Sequence, residues 1–200
     1  MSTTYSVAVF AYNEALKLAG TIKSIQAASQ GTQCEIVILA NGCRDETVTV
    51  AQELTACYSN VHVVEIDQAD KANAWNHYVH EISVRHPFCD AHLHVFVDGD
   101  VQVESASFRA FSTVLAQNPL ANALGALPTS GRNRAAWSQR MVATGRLAGG
   151  LYALNGTFLD RIRQRRICIP RGLIGEDWAV SLLAQSDLGV SGILCKRGLS

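Results

Sequence analysis

Long apolar runs are missing from this chain of 200 residues. No stretch reaches the roughly 18 consecutive apolar residues that a membrane-spanning helix needs, so nothing predicts such a helix. Residues 1–5 lack a basic region followed by an apolar core, and we therefore expect no signal peptide and a cytoplasmic protein.

An excess of either charge is missing as well. Basic and acidic residues number 17 each, so the formal net charge is zero. Without a global basic field, we expect no nucleic-acid partner. The six cysteines include no C-x-x-C pair, which argues against a zinc knuckle or a disulfide framework.

Repeats, low-complexity segments and clear linkers are also absent. The apolar fraction of 48% and the charged fraction of 17% are those of a folded globular chain. A chain of this length can bury a substantial core. We therefore predict a single domain over residues 1–200.

The sequence does contain a regular alternation of short apolar runs and helical patterns. Predicted strands cover residues 6–11, 35–40, 61–66 and 92–97, and predicted helices cover 14–28, 45–57 and 71–84. Such a βαβ series gives a parallel sheet with right-handed crossovers. We predict an α/β fold with a Rossmann-type open sheet, mostly parallel, and helices on both faces.

The second half of the chain is less regular. Its predicted helices cover residues 105–117, part of 131–150, 155–165 and 175–184, and its predicted strands cover 123–128, 151–154 and 189–194.

The fourth predicted strand ends in Asp98-Gly99-Asp100. Side chains at positions i and i+2 leave a strand on the same side, and glycine permits a sharp turn between them. Two carboxylates at one spot suit a hard divalent cation that carries a phosphate-bearing substrate. The alternative is a turn in which both aspartates cap the next segment.

Polar residues also follow the other three strands of the predicted parallel sheet. They occupy residues 12–14, 41–43 and 67–71. Ligands of open parallel sheets bind beyond the carboxyl ends of the strands. We therefore expect the functional site at this edge.

Five short motifs in this order resemble family 2 glycosyltransferases, which have the GT-A fold. They are Phe10-Ala11-Tyr12-Asn13-Glu14, residues 41–47, residues 71–76, Asp98-Gly99-Asp100 and Gly175-Glu176-Asp177. The resemblance covers nearly the whole chain. It implies a hexosyltransferase-like enzyme that moves a sugar from a UDP- or GDP-sugar to an acceptor hydroxyl, with inversion at the anomeric carbon.

The resemblance also implies roles for individual residues. Asp98-Gly99-Asp100 is similar to the family's D-x-D motif, in which Asp100 would bind Mg²⁺ or Mn²⁺ and Asp98 the ribose or a metal-bound water. Asp177 would act as general base, and Glu176 would orient the site. The residues that would hold the nucleotide are Phe10, Ala11, Asn13, Glu14, Asn41, Lys71, Asp98 and Gly99.

Structural interpretations compete with several of these roles. Asn13 could instead cap the helix that follows it. Lys71 could be a solvated lysine at a helix start. Acidic residues such as Glu176 and Asp177 interact favourably with a helix dipole whether or not they catalyse anything.

The chain departs from the family pattern at two places. Asn41 stands where the family has paired aspartates, which leaves the base of the nucleotide open. No histidine follows Asp177, where many relatives supply a further metal ligand. Either the chain is a catalytic core cut from a longer protein, or metal binding relies on Asp100 and the diphosphate.

We expect residues 1–100 to be a nucleotide-binding half and residues 101–200 an acceptor-binding half. The acceptor could be a saccharide, a lipid or a small molecule. A cluster of five arginines between residues 161 and 171 could meet an acceptor phosphate at a membrane surface, or simply be a solvated helix end. The rival functions are a retaining GT-A transferase and a non-catalytic nucleotide-sugar-binding protein.

Overall fold

The computed structural model describes residues 4–189 and the two-residue strand at 195–196. The strands are β1 (Thr4–Ala11), β2 (Gln33–Asn41), β3 (Val61–Ile66), β4 (Leu93–Asp98), β5 (Ala123–Gly125), β6 (Leu151–Asn155), β7 (Ile167–Cys168) and β8 (Cys195–Lys196). The α-helices are α1 (Leu18–Ala28), α2 (Thr47–Cys57), α3 (Lys71–His77), α4 (Ser107–Gln117), α5 (Arg134–Thr144), α6 (Gly156–Gln164) and α7 (Glu176–Gln185). In the described part of the chain, every helix is too short or too polar to cross a bilayer.

Six strands form one open sheet in the order β3-β2-β1-β4-β6-β5. The first four of these pair in parallel, whereas β6 is antiparallel to both β4 and β5. β7 and β8 form a separate antiparallel pair. The prediction of an open, mostly parallel sheet is confirmed.

The sheet has a hydrophobic core on each face because side chains alternate along each strand. Val7 and Val9 of β1 point into a core shared with α1, α2 and α4. Ala8 and Phe10 point into the opposite core, which is shared with α3, α6 and α7. Helices therefore cover both faces, as predicted.

Phe96 lies at the centre of the core that contains α3, α6 and α7. Its side chain has no exposed surface, and its ring stacks on Tyr152 of β6 with the centroids 4.8 Å apart. This contact joins the parallel part of the sheet to its antiparallel edge.

The first helix begins later than the sequence pattern predicts. Asn13 has a φ angle of 55°, in the left-handed region, and α1 starts only at Leu18. The predicted role of Asn13 as the N-cap is therefore wrong. Lys17 is the N-cap, and its side chain makes no capping hydrogen bond.

Other boundaries also differ from their predictions. The helix predicted to run to residue 84 changes at residue 78 into a π-helical turn, Tyr78–Ile82. β5 ends at Gly125 rather than at residue 128. Apart from Gly189, the strand predicted at 189–194 lies outside the described residues.

Candidate functional site

The carboxyl ends of β1 and β4 lie at the centre of the candidate site. The strand order reverses direction between these two strands, and ligands of open α/β sheets bind at such a switch point. The register places Phe10 beside Asp98. Gly99 N–H donates to the Phe10 carbonyl oxygen at 2.7 Å, and a Cβ at Gly99 would lie 2.9 Å from that oxygen. A side chain at position 99 would therefore force β1 and the turn apart.

Lys71 connects three segments at this edge of the sheet. Its Nζ lies 2.6 Å from Asp98 Oδ1 and 2.6 Å from Glu176 Oε1. The same nitrogen lies 5.3 Å from the centroid of the Phe10 ring. Lys71 thus holds together the start of α3, the end of β4 and the start of α7.

Burial and the neighbouring charges shift the pKa values of Lys71 and Asp98 in opposite directions. Burial lowers the pKa of Lys71, but the carboxylates of Asp98 and Glu176 outweigh it, and the net shift is upward. Burial raises the pKa of Asp98, and the ammonium of Lys71 offsets this only in part. Lys71 therefore favours the ionised form of Asp98.

Asp177 lies next to Glu176 in the first turn of α7. Its Oδ2 accepts a hydrogen bond from Gly149 N–H at 2.9 Å, and its Oδ1 accepts one from Trp178 N–H at 2.8 Å. A Cβ at Gly149 would lie 3.2 Å from Lys71 Nζ and 3.5 Å from Asp177 Oδ2. The segment before β6 therefore lies directly against the carboxylates of Glu176 and Asp177.

Asp100 is exposed and has a different lysine partner from Asp98. Lys17 Nζ lies 3.2 Å from Asp100 Oδ2 and 3.7 Å from Glu14 Oε2. The hydrogen bond and the charge of Asp100 raise the pKa of Lys17. Over residues 4–189, no three side chains of His, Cys, Asp or Glu come together as a metal site.

Two asparagines hold the loops after β1 and β2. Asn13 Oδ1 accepts a hydrogen bond from Arg44 N–H at 2.8 Å. Asn41 is buried, and its Oδ1 accepts the N–H of Asp70 at 3.1 Å. The side-chain carbonyl oxygens of Asn13 and Asn41 therefore each already accept one hydrogen bond from a backbone N–H.

Asp70 is a site residue that the sequence patterns did not single out. Its Oδ1 accepts from Asn73 N–H at 3.1 Å and so caps α3, while its Oδ2 accepts from Gly172 N–H at 2.9 Å. An aspartate directly before a helix is a readable capping signal. The hydrogen bond to Gly172 joins residues 102 positions apart, and the sequence around Asp70 contains no pattern that predicts it.

A comparison with family models identifies the chain. The model described as "Glycosyl transferase family 2" matches residues 6–171. The chain belongs to glycosyl transferase family 2. The matched region contains Lys71, Asp98 and Asp100, and it ends before Glu176 and Asp177. No curated protein sequence matches the chain.

Solved structures of glycosyltransferases have the same fold as this family 2 chain. The mannosyltransferase PcManGT from Pyrobaculum calidifontis, solved with GDP-Man and Mn²⁺, has a TM-score of 0.70 at 20% identity over 90% of this chain and 51% of that one. TarS from S. aureus, solved with UDP-GlcNAc, has a TM-score of 0.68 at 14% identity over 91% of this chain and 53% of that one.

A third similar structure is glucosyl-3-phosphoglycerate synthase from Mycobacterium tuberculosis, solved with Mn²⁺, UDP-Glc and phosphoglyceric acid. Its TM-score is 0.66 at 18% identity, over 99% of this chain and 73% of that one. These identities show the fold alone, and the predicted GT-A fold is confirmed. The chain spans about half the length of the first two structures.

The arginine cluster proposed for membrane contact is partly engaged within the protein. Arg161 forms a bidentate ion pair with Asp187, with both N–O distances at 2.8 Å. Arg163 donates to the backbone of the π-helical turn at Val79. The exposed members of the cluster are Arg165, Arg166 and Arg171.

Replacing Asp70 is expected to loosen the junction that it forms. Asp70→Ala removes the cap of α3 and the acceptor for Gly172 N–H, at an expected cost of about 2 kcal/mol in the free energy of unfolding. Urea denaturation measures this value. Asp67→Ala is the matched control, because Asp67 is exposed and its loss should stay within about 0.5 kcal/mol. Equal stability of the two variants would contradict the assigned role.

Proposed function

We propose that this family 2 chain transfers a sugar from a UDP- or GDP-sugar to an acceptor hydroxyl, with inversion and with help from a divalent metal. The observation that carries this proposal is the convergence of Asp98, Lys71, Glu176 and Asp177 at the switch point of the sheet. Residues 1–100 would form the nucleotide-binding half and residues 101–200 the acceptor-binding half.

The loops after β1 and β2 are proposed to hold the nucleoside. They lie beside each other because Ala11 pairs with Ala40 in the sheet register. The bond from Asn13 to Arg44 joins them directly. Nucleotide sugars bound in the similar structures support this assignment. The proposed nucleotide residues are Phe10, Ala11, Asn13, Glu14, Asn41, Lys71, Asp98 and Gly99.

The residues present fit a magnesium or manganese ion bound together with a diphosphate. Asp98 and Asp100 supply hard carboxylate oxygens, and Asp100 is exposed. Mg²⁺ is commonly bound by one or two carboxylates, substrate phosphates and water, so a third side chain is not required. When bound, the ion would neutralise charge on the departing diphosphate. Mn²⁺ in two of the similar structures supports this choice.

Asp177 is proposed to act as the general base. As the acceptor oxygen attacks C1 of the sugar, its proton passes to the carboxylate of Asp177. The bond between C1 and the diphosphate oxygen breaks, and the nucleoside diphosphate leaves with the electron pair. The backbone donors Gly149 and Trp178 fix the orientation of this carboxylate. Glu176 contributes through Lys71, which it holds in place.

Thermal unfolding with nucleotides tests the donor part of the proposal. At about 100 times the dissociation constant, UDP or GDP with Mn²⁺ should stabilise the native chain by about 2.7 kcal/mol, or roughly 5 to 10 °C. Asp100→Asn should lose the part of this shift that depends on Mn²⁺, because one carboxylate ligand is gone.

The control for Asp100→Asn is Glu53→Gln, which removes one negative charge from an exposed position on α2. This variant should keep the full shift. A shift in Asp100→Asn equal to that of the native chain would remove Asp100 from the metal site. The anomeric configuration of the product, read by NMR, tests inversion separately.

A further inference from the structure

A large cavity opens beside the proposed catalytic centre. It lies between α4 and the strands β5 and β6, and its volume is about 840 Å³. Pockets that hold small organic ligands usually measure about 300 to 1,000 Å³. Its apolar lining includes Ala110, Phe111, Val114, Leu124, Leu127 and Leu151.

The cavity reaches the proposed metal ligand Asp100 at one end. Asp100 and Gly150 both line it. Gly150 directly follows Gly149, whose N–H donates to Asp177, and the Gly150 carbonyl oxygen accepts from Asp98 N–H at 3.3 Å. A molecule that fills the cavity would therefore present its end group next to the proposed base.

The charges around the cavity select against anions. Among the described residues that line it, the ionisable ones are Asp100 and Glu104, and both are acidic. Glu104 accepts a hydrogen bond from Thr129 on the opposite wall at 3.0 Å. Lys17 pairs with Asp100 at 3.2 Å, so the carboxylate of Glu104 is the group that would repel a phosphate or carboxylate in this space, and the described lining contains no lysine, arginine or histidine.

The apolar side chains of the cavity walls, in contrast, favour contact with a hydrocarbon group of a ligand. Val114 and Leu127 have 42% and 49% of their surface exposed, and both face the cavity. Covering such side chains with an apolar ligand removes apolar surface from water on both molecules. The lining therefore matches a ligand with an apolar body and no negative charge.

We propose that this cavity binds the apolar part of an uncharged acceptor, namely an alkyl-bearing alcohol or glycoside whose hydroxyl reaches Asp177. The acceptor role rests on the proposed glycosyl transfer, whereas the binding of such a compound does not. A lipid phosphate is the acceptor that the lining disfavours.

Direct binding to the native chain, without donor, tests the cavity first. Isothermal titration with methyl, butyl, hexyl and octyl β-D-glucoside should show an affinity that rises about four-fold for each added methylene group until the space is filled. Octyl phosphate should bind more weakly than octyl glucoside because of the acidic lining residue Glu104. Tighter binding of octyl phosphate, or affinity that does not depend on chain length, would overturn the proposal.

A matched pair of tryptophan variants on α4 locates the binding. Ala110 is exposed and lines the cavity, while Ala116 is exposed on the same helix and lies outside the lining. Ala110→Trp should weaken octyl glucoside binding about ten-fold, the cost of burying roughly two fewer methylene groups. Ala116→Trp should bind like the native chain. If the two variants bind octyl glucoside with equal affinity, the ligand does not bind in this cavity.

Transfer assays distinguish failure of this inference from failure of the proposed function. The melting temperature and the shift with UDP or GDP and Mn²⁺ should be the same in both tryptophan variants, because neither alanine touches the nucleotide residues. Chain-length-dependent binding without transfer from any UDP- or GDP-sugar would overturn the proposed glycosyl transfer. Transfer to alkyl glucosides that is unaffected by Ala110→Trp would overturn the cavity assignment alone.

Discussion

Asp177→Asn is expected to lower the rate of sugar transfer by about a hundred- to ten-thousand-fold, the usual contribution of a general base. The amide that replaces the carboxylate cannot take the proton from the acceptor hydroxyl. Nucleotide binding should stay close to native, since Asp177 contacts the backbone at Gly149 and Trp178 rather than the loops after β1 and β2. Steady-state transfer assays and nucleotide titrations measure the two effects.

The stability of the Asp177→Asn variant has to be measured alongside its rate. Both oxygens of the native carboxylate accept backbone hydrogen bonds, and the amide has only one oxygen to offer. The expected cost is about 1 kcal/mol, which leaves the domain folded. Asp187→Asn is the control, because its exposed ion pair with Arg161 lies beyond the other end of α7. Transfer by Asp177→Asn at the rate of this control would remove Asp177 from the base role.

Lys71→Met is expected to destabilise the protein by about 3 kcal/mol at neutral pH, because it leaves two largely buried carboxylates without their counterion. The estimate sits at the lower end of the usual range since 28% of the lysine side chain is exposed to solvent. Asp98 and Glu176, both within 2.6 Å of the lost ammonium, would then repel each other.

The destabilisation of Lys71→Met should shrink in acid. Burial already raises the pKa of Asp98, and removing the ammonium that lowers it raises this pKa further. The folded variant therefore binds a proton more readily than the unfolded chain, so its stability increases as the pH falls from about 7.5 toward 5.

Urea denaturation at the two pH values measures the effect on Lys71→Met. Lys23→Met is the matched control, because Lys23 is exposed on α1 and its loss should change stability by less than about 0.5 kcal/mol at either pH. A larger destabilisation in acid than at neutral pH would contradict the charge balance described for this cluster.

The parallel half of the sheet could be predicted because its pattern is local. β1, β2 and β4 are short apolar runs buried on both faces, β3 is a partly buried edge strand, and each of the four is followed by a helical repeat. The polar residues after each run mark the carboxyl edge. The position of Asp98 at the end of β4 follows from that pattern alone.

The contacts inside the site could not be predicted in the same way. Lys71 meets Glu176 because α3 and α7 pack against the same face of the sheet, and no local pattern reports this. The left-handed conformation of Asn13 delayed the start of α1, although asparagine before a helix normally suggests a cap. Asparagine is also enriched in the left-handed conformation, so the same residue type is compatible with a cap and with the turn observed here.

The hydrogen bonds that Asp70 forms with Asn41 and Gly172 have a mechanical consequence. Asn41 at the end of β2 and Gly172 on the approach to α7 are both hydrogen-bonded to this one residue. If the loop between β2 and α2 moves, the segment before α7 must therefore move with it, or one of these two hydrogen bonds of Asp70 must break. The two segments are therefore linked through Asp70, and any free-energy coupling between ligands bound on either side of it is equal in both directions.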